Sequence, residues 1–374
     1  MSRMDGTGLT DNTGREKTGS AASASTAASA TASSSTVAAA SDATSLAGAR
    51  SYLSGAHAAD RTRRDWTIFA VLMLLAWTVP LMAGGFYLYM ASAIAIYAIA
   101  AIGLQVMVGL ARQLSLGHAA FMGIGAYTAV LLEKNFDVPF GLAALAALTL
   151  SSLIGLLMAQ LIRLHGVYFD IATFGFGIIV YQLLANTTWL TGGHVGIRGI
   201  PPIEFLGIEF TTRRDLFILE MATLTIVYAL MLRLCSGRIG RAFQAIGQNE
   251  SAGRSIGIPT NRYRMAVITI GCGIAGLAGA FLPHLLKFLS PESFAWHESL
   301  VLLIMITVGG LSSLPGAIIG ATVIVVVPEY LRDFAQYKML IYGLLLIACM
   351  ILMPAGIAGT TASLVSRFKS RGGK

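Results

Sequence analysis

The chain is poor in charge and in cysteine. Only 12% of its 374 residues are charged, whereas 55% are hydrophobic, and the mean hydropathy is +0.72. A soluble domain carries about twice that charged fraction, so the composition excludes a soluble globular protein and indicates an integral membrane protein. The cysteines Cys235, Cys272 and Cys349 lie far apart without paired spacing, so neither a disulfide framework nor a cysteine metal site is predicted.

Motifs for ATP hydrolysis and for zinc-dependent hydrolysis are missing too. The chain has no G-x-x-x-x-G-K-[ST] phosphate loop, so we expect no ATPase site, no enzymatic activity and no cofactor of its own. It has no H-E-x-x-H or H-x-x-E-H sequence to hold a catalytic metal. Its net charge of +8 is not accompanied by basic residues interleaved with aromatic ones, so nucleic acid is not expected as a partner.

The N-terminal part of the chain differs from the rest in composition. Residues 19–49 are almost entirely Ala, Ser, Thr and Gly, and they cannot bury enough apolar surface to offset the entropy of ordering. We therefore expect 1–65 to be a disordered cytoplasmic tail and 66–359 to be a transmembrane domain. Residues 360–374 are expected to form a basic cytoplasmic tail.

Apolar segments recur from residue 66 onward. A helix of about 20 apolar residues crosses a hydrocarbon core of about 30 Å, so the segments predict an all-α polytopic membrane protein with about ten transmembrane helices. The segments 298–311 and 316–330 are short and separated by GGLSSLPG, so we expect them to be broken or re-entrant. The predicted spans are 66–83, 86–108, 116–132, 139–162, 167–189, 216–234, 264–286, 298–311, 316–330 and 338–354.

Basic residues predict the orientation in the membrane. Arginines precede the first span and basic residues follow the last, which places both termini in the cytoplasm under the positive-inside rule. The arginine-rich loop 235–264 is expected in the cytoplasm as well, and the charge-balanced loop 190–215 outside. The basic loop and tail are expected to contact anionic membrane lipid.

Polar side chains within the apolar segments are candidates for a substrate pathway. A charged residue near the centre of a membrane helix costs about 2.5–3.5 kcal/mol, so one that persists usually faces the protein interior or a cavity. Asp170 is the clearest case, although a position near the cytoplasmic end, with its carboxylate reaching water, explains it equally well. Gln113, His118 and Gln182 are further candidates, and helix capping or hydrogen bonds between helices explain His118 and Gln182 as well.

The stretch GLARQLSLGHAAFMGIGAYTAV, which begins at Gly109, interrupts two apolar runs with polar residues and glycine. Lipid-exposed backbone must satisfy its own hydrogen bonds, so such an interruption persists only where protein or a water-filled cavity covers it. We expect a pathway or a tight helix contact at this stretch.

The cytoplasmic loop has apolar residues at helical spacing. Ile239, Phe243 and Ile246 form one set and Ala252, Ser255 and Ile256 form another, with Gly247 and Pro259 as interruptions. This pattern predicts two short amphipathic helices. Such helices lie on the bilayer surface or dock into a groove of a partner protein, and the pattern leaves both possibilities open.

These motifs together resemble one known family. VGLARQLSLGHAAFMGIGAYTAVLL is similar to the N-terminal signature of LivM-type permeases of branched-chain amino acid ABC importers. RLHGVYFDIATFGFG, NTTWLTGGHVGIRGIP, GRIGRAFQAIGQNE, SPESF and VGGLSSLPGAIIGA also match, and the resemblance covers 66–359. The cytoplasmic loop resembles the segment by which such permeases couple to their ATPases. The coupling residues implied here are Arg241, Glu250, Ala252, Gly257 and Ile258.

The resemblance implies a permease subunit of the bacterial inner membrane. It would pair with a second homologous permease, two cytoplasmic ATPases that bind ATP and Mg²⁺, and an external solute-binding protein. Branched-chain amino acids are the first expectation for the substrate, with urea, short amides and other small polar solutes as alternatives. An ion-coupled secondary transporter is a weaker alternative, because Asp170 is the one plausible coupling acid. Relatives often carry Glu where this chain has Gly177 and Ile178, and an acid or amide where it has His194 and Val195.

Overall fold

The computed structural model contains eight helices of 14 residues or more among the residues that it describes. Those residues are 84–160, 167–205, 208–237, 259–311, 313–330 and 356–360, with isolated residues and short pieces between 66 and 78, 239 and 246, and 337 and 351. The helices are α1 (Gly85–Ala111), α2 (His118–Phe136), α3 (Phe140–Ala159), α4 (Val167–Asn186), α5 (Arg213–Ser236), α6 (Thr260–Leu286), α7 (Trp296–Gly309) and α8 (Leu314–Tyr330).

Five of these helices, α1, α3, α4, α5 and α6, are long and apolar enough to cross a membrane. The pair α7 and α8 passes the same test together but is bent by 120°, which confirms the prediction of a broken or re-entrant element there. The described part of the chain therefore gives up to six spans, and the total of about ten stays a prediction. Helix α2, predicted as a span, does not pass the test, because polar residues such as His118 and Glu133 lower its hydropathy.

Helix α6 contacts α1, α2 and α3 through small residues. Gly271 lies against Gly103 of α1, and Gly276 lies against Ser151 of α3. On a third face, the Cα of Gly279 meets the backbone of α2 so closely that a Cβ would overlap the carbonyl group of Met122. Helices in a membrane gain stability from such close backbone approach, since lipid supplies no hydrophobic drive between them. The glycines at 276 and 279 therefore serve close helix packing.

The C-terminal ends of α2 and α6 meet at one side of the helix assembly. His284 Nε2 lies 3.2 Å from Glu133 Oε2, and both side chains are buried. Lys134 Nζ donates a hydrogen bond of 3.3 Å to the carbonyl of Arg198 in the loop that follows α4. Here β1 (Ile197–Arg198) pairs antiparallel with β4 (Phe288–Leu289), and β2 (Ile203–Phe205) pairs with β3 (Ile208–Phe210).

The loop sequence TGGHVGIRGIP forms a glycine-rich turn. Gly192, Gly193, Gly196 and Gly199 have φ between +58° and +72°, a region that side chains with a Cβ rarely adopt. At Gly196 a Cβ would also overlap the carbonyl of Leu289. The sequence therefore needs glycine here to bring β1 against β4.

The described residues between 66 and 78 are helical and pack on α5. The ring of Phe69 stacks on Tyr228, with centroids 4.2 Å apart and planes 3° from parallel. Thr225 Oγ1 donates a hydrogen bond of 3.3 Å to Met73 Sδ. The predicted tail 1–65 and most of the predicted coupling loop lie outside the described residues, and the predicted domain boundaries stay predictions.

We predict that Gly279→Ala destabilises the helix assembly by about 1–3 kcal/mol, because the added methyl group overlaps the backbone of α2. The measurement is the free energy of unfolding in a denaturing-detergent titration. Gly175→Ala in α4 is the matched control, since nothing lies within 4 Å of its added Cβ. Equal effects of the two substitutions would contradict the packing role of Gly279.

Candidate functional site

The chain between α1 and α2 is not helical, and it is covered by protein. Arg112 ends α1 in the left-handed region with φ of 52°, and its N–H bonds the carbonyl of Met107. Gln113, Ser115 and Gly117 in this segment are buried. The expectation that protein covers this polar interruption is therefore confirmed for these residues. We name 112–117 the α1–α2 break.

Helix α2 begins beside the middle of α1 rather than beside its end. The ring of His118, the first residue of α2, lies next to the backbone of Ala100. Ala100 precedes the last residue of α1 by eleven residues, which is about 16 Å of helix. The α1–α2 break therefore runs back along α1. His118 is fully buried, and its imidazole ring interacts with the backbone of Ala100.

Helix α4 holds the α1–α2 break in place. The backbone N–H of Leu116 donates a hydrogen bond of 3.2 Å to Thr173 Oγ1. The same hydroxyl donates a hydrogen bond of 2.9 Å to the carbonyl of Asp170. Gly117 packs so closely on Thr173 that a Cβ would overlap its carbonyl oxygen. The non-helical backbone thus gains a hydrogen-bond acceptor from a side chain of a neighbouring helix.

A second helix, α7, begins at the same level as α2. The segment 288–295 leads from β4 through the 3-10 turn Pro291–Phe294, and the side chain of Phe294 lies against Gly123 of α2. The N–H of Ala119 then donates a buried hydrogen bond of 3.0 Å to Ser299 Oγ. The N-terminal ends of α2 and α7 are therefore neighbours near the middle of α1.

The other end of α7 lies at the C-terminal end of α1. Gln105 Nε2 donates a hydrogen bond of 3.3 Å to the carbonyl of Gly310, and Gly109 packs on the carbonyl of Leu311. Helix α7, with 14 residues, thus runs alongside only the second half of the 27-residue α1. Close contacts of Gly309 with Gly316 then hold α8 against it. Both α2 and α7 therefore follow a non-helical segment and begin inside the helix assembly.

The first turn of α7, which lies beside the middle of α1, carries an acid. The carboxylate of Glu298 lies within hydrogen-bonding reach of Tyr97, near the middle of α1, and 3.6 Å from His297 Nε2. The side chains of His297 and Glu298 are 32% and 16% exposed. Trp296 is half exposed and packs edge-on against Phe174 of α4, with ring centroids 6.3 Å apart. We name these side chains, Trp296, His297, Glu298, Tyr97 and Phe174, the α7 cluster.

Of the four residues that the sequence suggested for a pathway, the structure brings three to the α1–α2 break and leaves one apart. The turn of Asp170 and the start of α2 at His118 meet through Thr173, and Gln113 is buried within the α1–α2 break. Gln182 is exposed and lies twelve residues beyond Asp170 on α4, which is about 18 Å along the helix. The predicted coupling residues lie outside the described residues, namely Arg241, Glu250, Ala252, Gly257 and Ile258.

Sequence reasoning missed Glu298. The predicted span 298–311 begins at this acid, which is not among the residues that the sequence suggests for a pathway. Two signals could have identified it: the acid begins a segment too short to cross a membrane, and SPESF precedes it closely. A half-length helix has one end within the membrane, so its first turn need not lie at a surface.

We predict that Thr173→Val destabilises the protein by about 1–3 kcal/mol, because the partly buried N–H of Leu116 loses its acceptor. Unfolding in a denaturing-detergent titration measures the change. Thr223→Val in α5 is the control, because the hydroxyl of Thr223 donates to the Leu219 carbonyl of its own helix. If both variants lost the same stability, Thr173 would not be fixing the α1–α2 break.

Comparison with known proteins gives a consistent set of relatives. The family described as "Branched-chain amino acid transport system / permease component" matches residues 86–353. The high-affinity branched-chain amino acid transport system permease protein LivM of Salmonella typhimurium is 35% identical over 268 residues, which cover 65% of this chain and 63% of LivM. This chain therefore spans less than two thirds of the length of that relative.

More distant relatives are permeases as well. The permease protein LivH of Salmonella typhimurium is 25% identical over 178 residues, covering 47% of this chain and 54% of LivH. The autoinducer 2 import system permease protein LsrC of Salmonella paratyphi B is 26% identical over 235 residues, covering 59% of this chain and 64% of LsrC. No solved structure matches the chain.

Proposed function

Because the chain belongs to the family of permease components of branched-chain amino acid transport systems, we propose that it is the membrane permease subunit of an ATP-driven ABC importer for these amino acids. The family match over residues 86–353 carries the proposal. The chain is a multi-pass membrane protein, and its relatives are permeases of bacteria. In the proposal it lies in the inner membrane with both termini in the cytoplasm.

The discontinuous helices support a role in translocation. Transport sites are commonly built near the membrane midplane from helices that are interrupted there, because unwound backbone and helix ends offer polar groups to a solute. Helices α2 and α7 begin side by side at the middle of α1, where Ala119 bonds Ser299. We place half of the translocation path beside this junction, with Asp170, His118, Gln113 and Gln182 as candidate path residues. Access would alternate between the two sides of the membrane.

The proposal requires partner chains. LivM and LivH are both named as permeases of a high-affinity branched-chain amino acid transport system, which supports pairing of this chain with a second homologous permease. Two cytoplasmic ATPases would bind ATP and Mg²⁺, because this chain has no phosphate loop. An external binding protein would deliver the substrate. The coupling loop 235–264 would dock on an ATPase, so that ATPase closure moves α5 and α6, the helices on either side of it.

The proposed importer is tested by its substrate and its energy source. The chain, its permease partner, both ATPases and the binding protein are reconstituted in proteoliposomes, and uptake of labelled leucine, isoleucine, valine and urea is measured. We expect ATP-dependent uptake of the three amino acids and no uptake of urea. Import of urea or another small polar solute in their place would favour the alternative substrate class, which LsrC as an import permease for a different solute keeps open. Uptake driven by an ion gradient without ATP would overturn the proposal.

The coupling residues give a second prediction. Glu250→Ala and Gly257→Val should lower ATP-dependent uptake about tenfold while membrane insertion stays unchanged, because the ATPase then no longer moves the permease. Uptake and ATP hydrolysis are measured on the same proteoliposomes. Glu204→Ala, on the exposed part of β2, is the matched control and should leave uptake unchanged. Normal uptake with a normal ATPase rate in Glu250→Ala would remove the coupling assignment.

A further inference from the structure

Glu298 places a carboxylate beside the middle of α1, far from both ends of that helix. The residue lies in the first turn of α7, and Tyr97 beside it lies near the middle of α1, a helix long enough to span the membrane. Ser299, the next residue, bonds the N-terminal end of α2 at the same level. An ionisable side chain at this depth is costly, and those that persist in membrane proteins commonly contact a transported solute or ion.

The neighbours of Glu298 orient its carboxylate. Tyr97 is within hydrogen-bonding reach, Tyr342 is close enough to interact with it electrostatically, and His297 Nε2 lies 3.6 Å away. These three groups belong to different parts of the chain, α1, the helical residues 340–344 and α7. The carboxylate is thus fixed by groups that converge from several sides, yet part of the side chain stays exposed.

An apolar surface lies on the other side of His297. The rings of Trp296 and His297 are 6.2 Å apart between centroids and nearly perpendicular. Trp296 is half exposed and rests on Phe174 of α4. The α7 cluster therefore presents an acid at one end, an imidazole in the centre and an exposed aromatic surface at the other end.

We propose that the α7 cluster binds the substrate within the membrane, with the carboxylate of Glu298 holding the ammonium group and Trp296 with Phe174 contacting the aliphatic side chain. This assignment rests on the proposed import of branched-chain amino acids. A carboxylate pairs with a cation, and an aromatic surface favours an aliphatic chain, so an amino acid of this class fits both ends. A neutral solute such as urea carries no charge to pair with Glu298.

The test uses the complete importer in proteoliposomes and the substitution Glu298→Gln, which keeps the size of the side chain and removes its charge. We expect leucine uptake to fall about tenfold or more, because a charge pair is lost, while maximal ATP hydrolysis stays within about twofold. The ATP consumed per leucine imported should therefore rise. Glu298→Asp should restore much of the uptake, since it keeps the carboxylate. Glu204→Gln, an exposed acid on β2, is the control and should behave as the unchanged protein.

Each outcome decides the assignment. Wild-type uptake and ATP cost in Glu298→Gln would overturn it, and so would equal loss in Glu298→Gln and Glu298→Asp, which would indicate packing alone. If the unchanged importer takes up leucine, such results refute only this inference. If the unchanged importer takes up no branched-chain amino acid, the proposed function itself is wrong.

A second substitution keeps the test decisive if Glu298→Gln does not assemble. Trp296→Ala should lower the ratio of leucine uptake to valine uptake, because the longer side chain loses more apolar contact. Trp189→Ala, which removes a strongly exposed tryptophan just before the glycine-rich turn, is the control and should leave the ratio unchanged. An unchanged ratio in Trp296→Ala would overturn the aromatic part of the site.

Discussion

Non-helical backbone inside a membrane must be covered and hydrogen-bonded, and the rest of this structure depends on how that requirement is met. The α1–α2 break and the segment 288–295 both lead into the helix assembly before a new helix begins. Lipid offers no hydrogen-bond partner to their N–H groups. Thr173 accepts from Leu116, and Ser299 accepts from Ala119, so hydroxyl groups on neighbouring helices replace solvent.

Covering these segments requires helices that approach each other closely. Helix α6 allows this close approach through Gly271, Gly276 and Gly279, which contact α1, α3 and α2 on three faces. The 18-residue apolar stretch of α1 is 83% buried, whereas those of α3 and α4 are only 33% buried. The exposed faces of α3 and α4 are therefore available to lipid or to the proposed second permease, and α4 also holds the α1–α2 break.

The junction of α2, α4 and α7 connects helix packing with the proposed transport. A helix that begins near the midplane places its first side chains within reach of a solute, and we propose this role for Trp296, His297 and Glu298 of α7. The same junction is fixed on α4 through Thr173 and on α2 through Ser299. A movement of α5 and α6 by an ATPase would therefore act on a junction whose members are joined by hydrogen bonds and close glycine contacts rather than by flexible loops.

The sequence alone determined the class of protein, the family resemblance and the approximate positions of most helices, because apolar length and composition are local properties of the chain. It also predicted a broken or re-entrant element at α7 and α8 from GGLSSLPG. It could not place α2 and α7 in depth, since that depends on contacts such as His118 with Ala100 that join distant residues. Tertiary structure alone decided that His118 is buried, that Gln182 lies far from Asp170 and that Glu298 lies near the middle of α1. The reason is that an apolar segment reveals its length, whereas the depth at which it begins is set by the helices that cover it.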